Sequence, residues 1–251
     1  QRWAFNVIPD NAPVIRFADE PKRAVNGALE LTYEIEDDYG PTSAQALFGQ
    51  ADAQSPNARP LYDAPEMPLS LPRRGAENNA ARTSRDLTEH PWAGSRVELT
   101  LEAADAAEQT ALSETKTIVL PERPFANSLA RALVEQRRIL ALDANRKAHV
   151  LALIDAITLR PEDTFENMSH YLGVMVARTR LRMAESDEAL RDVADYLWAM
   201  ALQIEDGALT DAERRLRQAQ EALRQALENG ASDEEIEQLM AELREAMREF
   251  M

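Results

Sequence analysis

Three aspartates in turns between candidate strands are the residues best suited to bind a metal ion. Asp37 and Asp38 belong to the sequence DDYG, which ends at Gly40, and Asp105 lies in a later turn. Carboxylate oxygens are the ligands that Ca²⁺ takes in proteins, so these side chains could form a calcium site. Asp and Gly also close turns by bonding the backbone without any metal. The sequence leaves both interpretations open.

The rest of the chain shows no recognisable catalytic or metal motif. His90, His149 and His170 are isolated, so zinc and di-iron sites lack their ligand pairs. Zero cysteines exclude thiolate metal sites and cysteine nucleophiles. The sequence contains neither a glycine-rich phosphate loop nor a Gly-x-Ser-x-Gly motif. We therefore predict a protein that is not an enzyme and needs no cofactor. A hydrolase with an unrecognised pair among the 44 acidic residues is an alternative.

Charge limits the partners that the chain can bind. The formal net charge is −16, which argues against a nucleic-acid ligand and against direct docking on anionic lipid. Within this acidic chain Arg178, Arg180 and Arg182 form a local basic cluster, and Arg178 and Arg182 share one helix face. They either pair with acids of the next helix, between Glu185 and Asp195, or contact a partner protein.

The first 121 residues have the pattern of antiparallel β structure. The clearest run is LELTYEIE, Leu29 to Glu36, in which apolar and polar residues alternate as in a half-buried strand. Several short strands in such a length predict a sandwich of immunoglobulin or fibronectin type. Residues 51–89 form a long proline-rich excursion between strands. The other predicted strands are Trp3–Ile8, Val14–Phe17, Ala44–Phe48, Met67–Leu71, Arg96–Ala103 and Thr115–Leu120.

The segment PERP, Pro121 to Pro124, marks a change of hydrophobic period from 2 to 3.6. Residues 125–251 are therefore predicted to form an α-helical bundle of about six helices, which makes the whole chain a two-domain α+β protein. The helix with Trp198 has the broadest apolar face and is predicted to be central. Gly173 is predicted to allow close helix approach. The predicted helices are Ala126–Ala141, Ala144–Thr158, Glu162–Ala184, Asp187–Glu205, Asp211–Asn229 and Asp233–Met251.

The last two helices are predicted to form a capped helical hairpin. Thr210 with Glu213 and Ser232 with Glu235 have the spacing of capping boxes. Between them Asn229-Gly230 supplies the left-handed residue that closes a helix. Each helix carries a coiled-coil-like apolar stripe. We expect the hairpin mainly to complete the bundle against the Trp198 helix.

One edge of the hairpin is predicted to remain available for a partner. Met240, Met247 and Phe250 widen the apolar stripe of the last helix beyond a simple seam. Together with Arg178 and Arg182 they are the candidate interaction residues. The partner is either another protein or a second copy in a homo-oligomer.

Several stretches resemble a family of large alphaproteobacterial membrane-anchored envelope proteins, domain-of-unknown-function family 4175. They are PD-x-x-P at Pro9–Pro13, YEIEDDYG at Tyr33–Gly40, LPERPFANSLARALVEQRRILALD at Leu120–Asp143, LWAMALQIEDG at Leu197–Gly207 and RLRQAQEALRQALENGASDEEIEQLMAELREAM at Arg215–Met247. The resemblance implies an inner-membrane protein with N-terminal transmembrane helices and a large periplasmic part. These residues include no such anchor, so membrane attachment is expected through a segment outside this chain.

Resemblance and residues together lead to one expected function and two alternatives. The expected function is a non-enzymatic interaction or scaffold module on the periplasmic side of the inner membrane, with a protein partner in the cell envelope. The first alternative is a calcium-stabilised, adhesion-like binding module around Asp37 and Asp38. The second is an envelope hydrolase.

Overall fold

A computed structural model describes residues 10–51, 57–72, 80–165, 167–207 and 211–250. The predicted strand Trp3–Ile8 lies outside the described residues. The chain divides into two compact units, one of residues 1–124 and 138–146 and the other of residues 125–137 and 147–251. Antiparallel sheets precede the helices, so the α+β architecture predicted from the sequence is confirmed.

Two antiparallel sheets build the first unit. The first sheet contains β1 (Val14–Phe17), β2 (Lys22–Arg23), β3 (Leu29–Glu36) and β6 (Ala80–Arg85); the second contains β4 (Ser43–Gln50), β5 (Met67–Pro68), β7 (Arg96–Ala104), β8 (Thr110–Leu112) and β9 (Lys116–Val119). In the first sheet, β3 pairs with β6 and with both β1 and β2. In the second, β4 pairs with β5 and β7, and β7 pairs with β8 and β9. This arrangement is the predicted two-sheet sandwich.

Alternating side chains of the central strands fill the sandwich core. Tyr33 of β3 and Leu99 of β7 are completely buried, as are their apolar neighbours two residues away. One hydrophobic cluster joins both sheets, because inward residues of each strand pack against the opposite sheet. The period of 2 in the sequence therefore identified the inner faces. The strand residues of this core are Ile15, Leu29, Leu31, Tyr33, Ile35, Ala44, Ala46, Phe48, Met67, Val97, Leu99, Leu101 and Ala103.

Strand β6 corrects the prediction that residues 51–89 contain only one short strand. It pairs with β3 at six positions, from Leu29↔Arg85 to Glu34↔Ala80. Its sequence, AARTSR, has no apolar alternation. The strand is nevertheless stable, because it lies beside β3 and gains its stability largely from backbone hydrogen bonds. One of its polar side chains, Arg82, forms an ion pair with the buried Glu30.

The proline-rich excursion is also held in place at Arg59 and Leu61. Asp143 is 2% exposed and accepts the backbone N–H groups of Arg59 and Asn145 at 3.1 and 2.9 Å. The N–H of Leu61 donates to the carbonyl of Ala141 at 2.9 Å. This segment of the excursion is therefore ordered by polar contacts as well as by burial of Leu61.

A cyclic hydrogen-bond network connects the excursion to the sandwich core and gives the first prediction. The hydroxyl of Tyr33 donates to the carbonyl of Ser70 at 2.7 Å and lies 2.6 Å from the hydroxyl oxygen of Thr83. That oxygen accepts the N–H of Ser70 at 2.9 Å. Burial raises the pKa of Tyr33, so the hydroxyl stays neutral and able to donate. Removing it should leave the Ser70 carbonyl with one fewer donor.

Tyr33→Phe is therefore expected to lower the free energy of unfolding by about 1–2 kcal/mol. Urea unfolding of both proteins measures the difference. A change of less than about 0.3 kcal/mol would contradict the role of this network.

Seven α-helices follow the sheets in the described part of the chain. They are α1 (Ser128–Leu142), α2 (Lys147–Ile157), α3 (Pro161–Thr164), α4 (Met168–Met183), α5 (Asp187–Gly207), α6 (Asp211–Glu228) and α7 (Asp233–Phe250), with a 3₁₀ turn at Ala144–Arg146. The predicted helix Glu162–Ala184 is divided, which accounts for the extra element. Phe165 has an extended backbone, and Asn167 begins a new helix because its side chain accepts the N–H of Ser169 at 2.8 Å.

Helix α5 supplies much of the core of the second unit, as predicted. Its apolar face is buried over Leu190, Val193, Ala194, Leu197, Met200, Ala201 and Ile204. Gly173 of α4 lies against this helix, because a Cβ atom there would meet the Met200 side chain. The predicted role of Gly173 in close helix approach is confirmed.

Local capping signals are also borne out. The hydroxyl of Ser232 accepts the N–H of Glu235 at 3.3 Å, which caps α7. Gly230 has φ +68°, and the N–H of Ala231 donates to the carbonyl of Ala226 at 2.9 Å. These are features of a Schellman motif, which closes α6. The predicted cap at Thr210 lies outside the described residues.

Candidate functional site

The α6–α7 hairpin leaves its larger apolar side chains at least partly accessible. Among the described side chains of the hairpin, only Ala226 and Ala246 are buried. Leu227, Met240 and Met247 are 58%, 43% and 48% exposed. The prediction that the hairpin mainly completes the bundle is therefore wrong. Its two helices pack principally against each other, and the larger apolar side chains keep access to solvent.

These larger side chains lie on one face of the hairpin, which we call the hairpin face. Their spacings of three, four and seven residues place them on one side of each helix. At the open end of the hairpin, the Arg215 guanidinium lies 2.8 Å from a carboxylate oxygen of Glu249. The side chain of the candidate Phe250 lies outside the described residues. The hairpin face consists of Leu216, Leu223, Leu227, Ile236, Met240, Leu243 and Met247.

A second exposed apolar surface lies on α4, and the sequence alone did not show its exposure. Met168, Leu172, Val176 and Met183 are 61%, 59%, 42% and 71% exposed. Their spacings of four and seven residues place them on one side of the helix, and we call them the α4 stripe. The opposite side of α4 is buried at Val174, Ala177 and Leu181. A search for a second apolar stripe on this helix would have found these residues. Such a search is not usually made, because a helix normally needs only one buried side.

Arginines flank the α4 stripe. Arg178 forms an ion pair with Asp155 of α2, so its partner is not among the acids of the next helix. The guanidinium of Arg180 lies 4.4 Å from the centre of the Tyr196 ring, which is a cation–π contact with α5. The side chain of Arg182 is exposed. Helix α4 contains these three arginines and no acidic residue.

The hairpin has the opposite charge. Helix α7 contains seven acidic residues and two arginines, and α6 contains four of each sign. Four of the acids of α7 lie in its first five residues, where the helix dipole stabilises negative charge. The two exposed apolar surfaces thus carry complementary charges. The sequence pattern alone had identified only one of them, the arginine cluster.

The structure places Asp37 and Asp105 of the predicted calcium site in turns that they close themselves, whereas Asp38 accepts an N–H of the Asn11 side chain at 3.0 Å. Asp37 accepts the N–H of Tyr39 at 3.2 Å, and Asp105 accepts the N–H groups of Ala107 and Gln109 at 2.8 Å. In the described ranges, no group of three or more Asp, Glu, His or Cys side chains is arranged to hold a metal ion. The turn interpretation explains these contacts.

Asp10 joins this acidic region, although the sequence did not point to it. Desolvation, together with the hydrogen-bonded and like-charged Asp38, raises the pKa of Asp10. The calcium-stabilised module remains a prediction. A melting temperature that is unchanged by added Ca²⁺ and by a chelator would remove it.

The histidines show no common site. The ring nitrogen Nδ1 of His90 accepts the backbone N–H of Trp92 at 3.1 Å, which is a local loop contact. His149 lies on α2 and His170 on α4.

One buried carboxylate, Glu205 of α5, went unnoticed in the sequence. It is 1% exposed, and its two oxygens accept the N–H groups of Ala126 and Asn127, each at 2.9 Å. The Arg217 guanidinium lies 3.4 Å from one of these oxygens. Burial alone would raise the pKa of Glu205, but the two N–H donors and the cation outweigh it and lower the pKa. Each carboxylate oxygen has an N–H donor, so Glu205 is best explained as a structural anchor.

The fold and its surfaces define a class: a two-unit α+β protein in which an antiparallel sandwich precedes a helical unit. None of the helices in the described ranges is long and apolar enough to cross a membrane. The chain belongs to the family described as "Domain of unknown function (DUF4175)", which matches residues 1–251. No curated protein matches the sequence.

Proposed function

We propose that this chain is a non-enzymatic interaction module of a membrane-anchored scaffold protein on the periplasmic side of the inner membrane. Its binding element is the α6–α7 hairpin, and its partner is a protein of the cell envelope. The periplasmic location rests on the family resemblance. The binding role rests on the exposed hairpin face.

The hairpin face supports this role because two helices alone cannot bury it. Fully burying a Leu, Ile or Met side chain contributes about 1.5–3 kcal/mol. Met240 and Met247 remain 43% and 48% exposed, so much of that stabilisation is still available to a partner. One additional helix laid along the hairpin face would cover it, as in helix-in-groove recognition. Methionine side chains adapt readily to such a partner.

Site-specific photo-crosslinking in cells tests this proposal. A photoreactive residue placed at position 240 of the full-length protein should give a discrete protein adduct. The matched control carries the same residue at Glu237, which is exposed on the same helix outside the hairpin face. We expect at least about tenfold less adduct there, because hot-spot contacts are confined to a small central patch.

A second substitution connects the adduct to the apolar face itself. Met247→Glu should abolish the adduct formed at position 240, because a charge in the buried contact must be desolvated. Equal yields at positions 240 and 237, or an adduct that survives Met247→Glu, would contradict the proposed function.

A further inference from the structure

We propose that the α4 stripe is the receptor for the hairpin face of a second copy of this chain. Copies would then join head to tail, each using its hairpin as donor and its α4 as receptor. This inference rests on the proposed function, since it names the partner of the same hairpin. It adds a second surface, on α4, that takes part in the contact.

The first step is that α4 is apolar on two opposite sides. One side is buried through Val174, Ala177 and Leu181. The other exposes Leu172 and Met183 by 59% and 71%. A helix that is apolar on two sides is expected to be covered on both. The exposed side, flanked by Arg180 and Arg182, has the apolar centre and polar rim of a protein interface.

The second step identifies what covers the α4 stripe. The best partner is an acidic amphipathic element with its own uncovered apolar face, and the hairpin is one. Helix α7 carries seven acidic residues against two arginines, whereas α4 carries no acid and three arginines, of which Arg178 already pairs with Asp155. The lengths also match, because 16 and 18 residues correspond to about 24 and 27 Å of helix. One α4 helix laid on a hairpin completes a three-helix arrangement.

The competing arrangements fit the charges less well. A symmetric contact between two hairpin faces would bring two acidic α7 helices together, at an electrostatic cost. An anionic lipid surface would attract the three arginines of α4, but the chain as a whole has a net charge of −16. A contact between α4 and α7 is the arrangement in which the charges attract.

A contact between two different surfaces leaves one donor and one receptor free at the ends of every chain of copies. Such heterologous contacts form rings when the rotation closes and open filaments when it does not. Either product suits a scaffold.

Complementing variants of the purified chain test the inference. The receptor variant is Leu172→Glu with Met183→Glu, and the donor variant is Met240→Glu with Met247→Glu. All four positions are at least 43% exposed, so both variants should fold, which circular dichroism verifies. Light scattering after chromatography, over a wide concentration range, should show self-association of the wild type. In each variant alone the apparent Kd should rise at least about tenfold.

Mixing the two variants gives the decisive result. The receptor variant retains an intact hairpin face, and the donor variant retains an intact α4 stripe. An equimolar mixture should therefore form a heterodimer that grows no further. Leu159→Glu is the matched control, because Leu159 is 79% exposed and lies outside both surfaces. It should associate like the wild type.

Other outcomes overturn the inference in distinguishable ways. If the donor variant alone is impaired, the contact is symmetric between hairpins, and the proposed function survives without the α4 receptor. If anionic vesicles bind the wild type but not the receptor variant, and no self-association occurs, α4 contacts lipid instead. If the wild type is strictly monomeric while the adduct at position 240 forms in cells, the partner is a different protein. If that adduct is also absent, the proposed function fails as well.

Discussion

Glu205→Ala should lower the free energy of unfolding by about 3–5 kcal/mol, because it removes a buried carboxylate that accepts two backbone N–H groups. The carboxylate is 1% exposed and accepts two backbone N–H groups at 2.9 Å. Hydrogen bonds to a charged group contribute about 1.5–3 kcal/mol each, so two of them are consistent with this loss.

The loss is large because Glu205 holds the beginning of another helix. Its two donors, the N–H groups of Ala126 and Asn127, immediately precede α1. The Asn127 side chain in turn caps that helix by accepting the N–H of Leu129 at 2.9 Å. Without the carboxylate, two N–H groups and Arg217 lose a buried acceptor. We therefore expect α1 to fray at its start, with faster hydrogen exchange at residues 129–131.

The contribution of Glu205 depends on pH with a defined sign. Its pKa is lower in the folded protein than the ordinary glutamate value of 4.5. The carboxylate therefore stabilises the fold fully above that value, and its contribution is lost as the pH falls through the lower folded-state pKa. The difference in unfolding free energy between wild type and Glu205→Ala should be constant near neutral pH and shrink in acid.

Asp206→Ala is the matched control for this substitution. Asp206 lies 3.3 Å from the same Arg217, but its side chain is 52% exposed. An exposed ion pair contributes about 0–1 kcal/mol, so this variant should unfold almost like the wild type. Urea titrations of the three proteins at several pH values make the comparison. Equal losses for the two variants, or a pH-independent loss for Glu205→Ala, would contradict the anchor role.

Sequence reasoning succeeded where the structural signal is local. The cap at Ser232 depends on a residue three positions away, and it is present at 3.3 Å. The alternation in Leu29–Glu36 identified strand β3 with its correct limits. Such features follow from the chain's own periodicity and capping chemistry.

The failures share one cause, which is that their partners are distant in sequence. Strand β6 is stable because it pairs with β3, which lies about fifty residues earlier in the sequence. Its own residues carry no strand pattern. Glu205 is one of 44 acidic residues, and only folding brings it to N–H groups 78 and 79 residues away. The α4 stripe could be seen in the sequence, but its exposure could not, because burial depends on which side the neighbouring helices cover.

Gly94→Ala is the second substitution with a large expected effect, a loss of about 1–3 kcal/mol in unfolding free energy. Gly94 has φ +77°, a conformation that costs an L-residue about 1–2 kcal/mol. A Cβ atom would also overlap the Arg138 guanidinium and the Glu122 carboxylate, which pair at 2.8 Å. Arg138 additionally donates to the carbonyl of Ala93 at 3.2 Å. Displacing these two side-chain ends disrupts both contacts, and a partly exposed ion pair contributes about 0–1 kcal/mol.

Gly49→Ala is the matched control, because a Cβ atom there makes only ordinary contacts with Glu98 at 3.8 Å or more. A glycine in a strand is less favourable than alanine, so this variant should be neutral or slightly more stable. The two causes of the Gly94 effect separate in a double-mutant cycle with Glu122→Ala. Removing the carboxylate frees Arg138 to move, so Gly94→Ala in that background should cost only the backbone strain, about 1–2 kcal/mol. Strict additivity would show that steric overlap contributes nothing and that the left-handed backbone alone requires glycine.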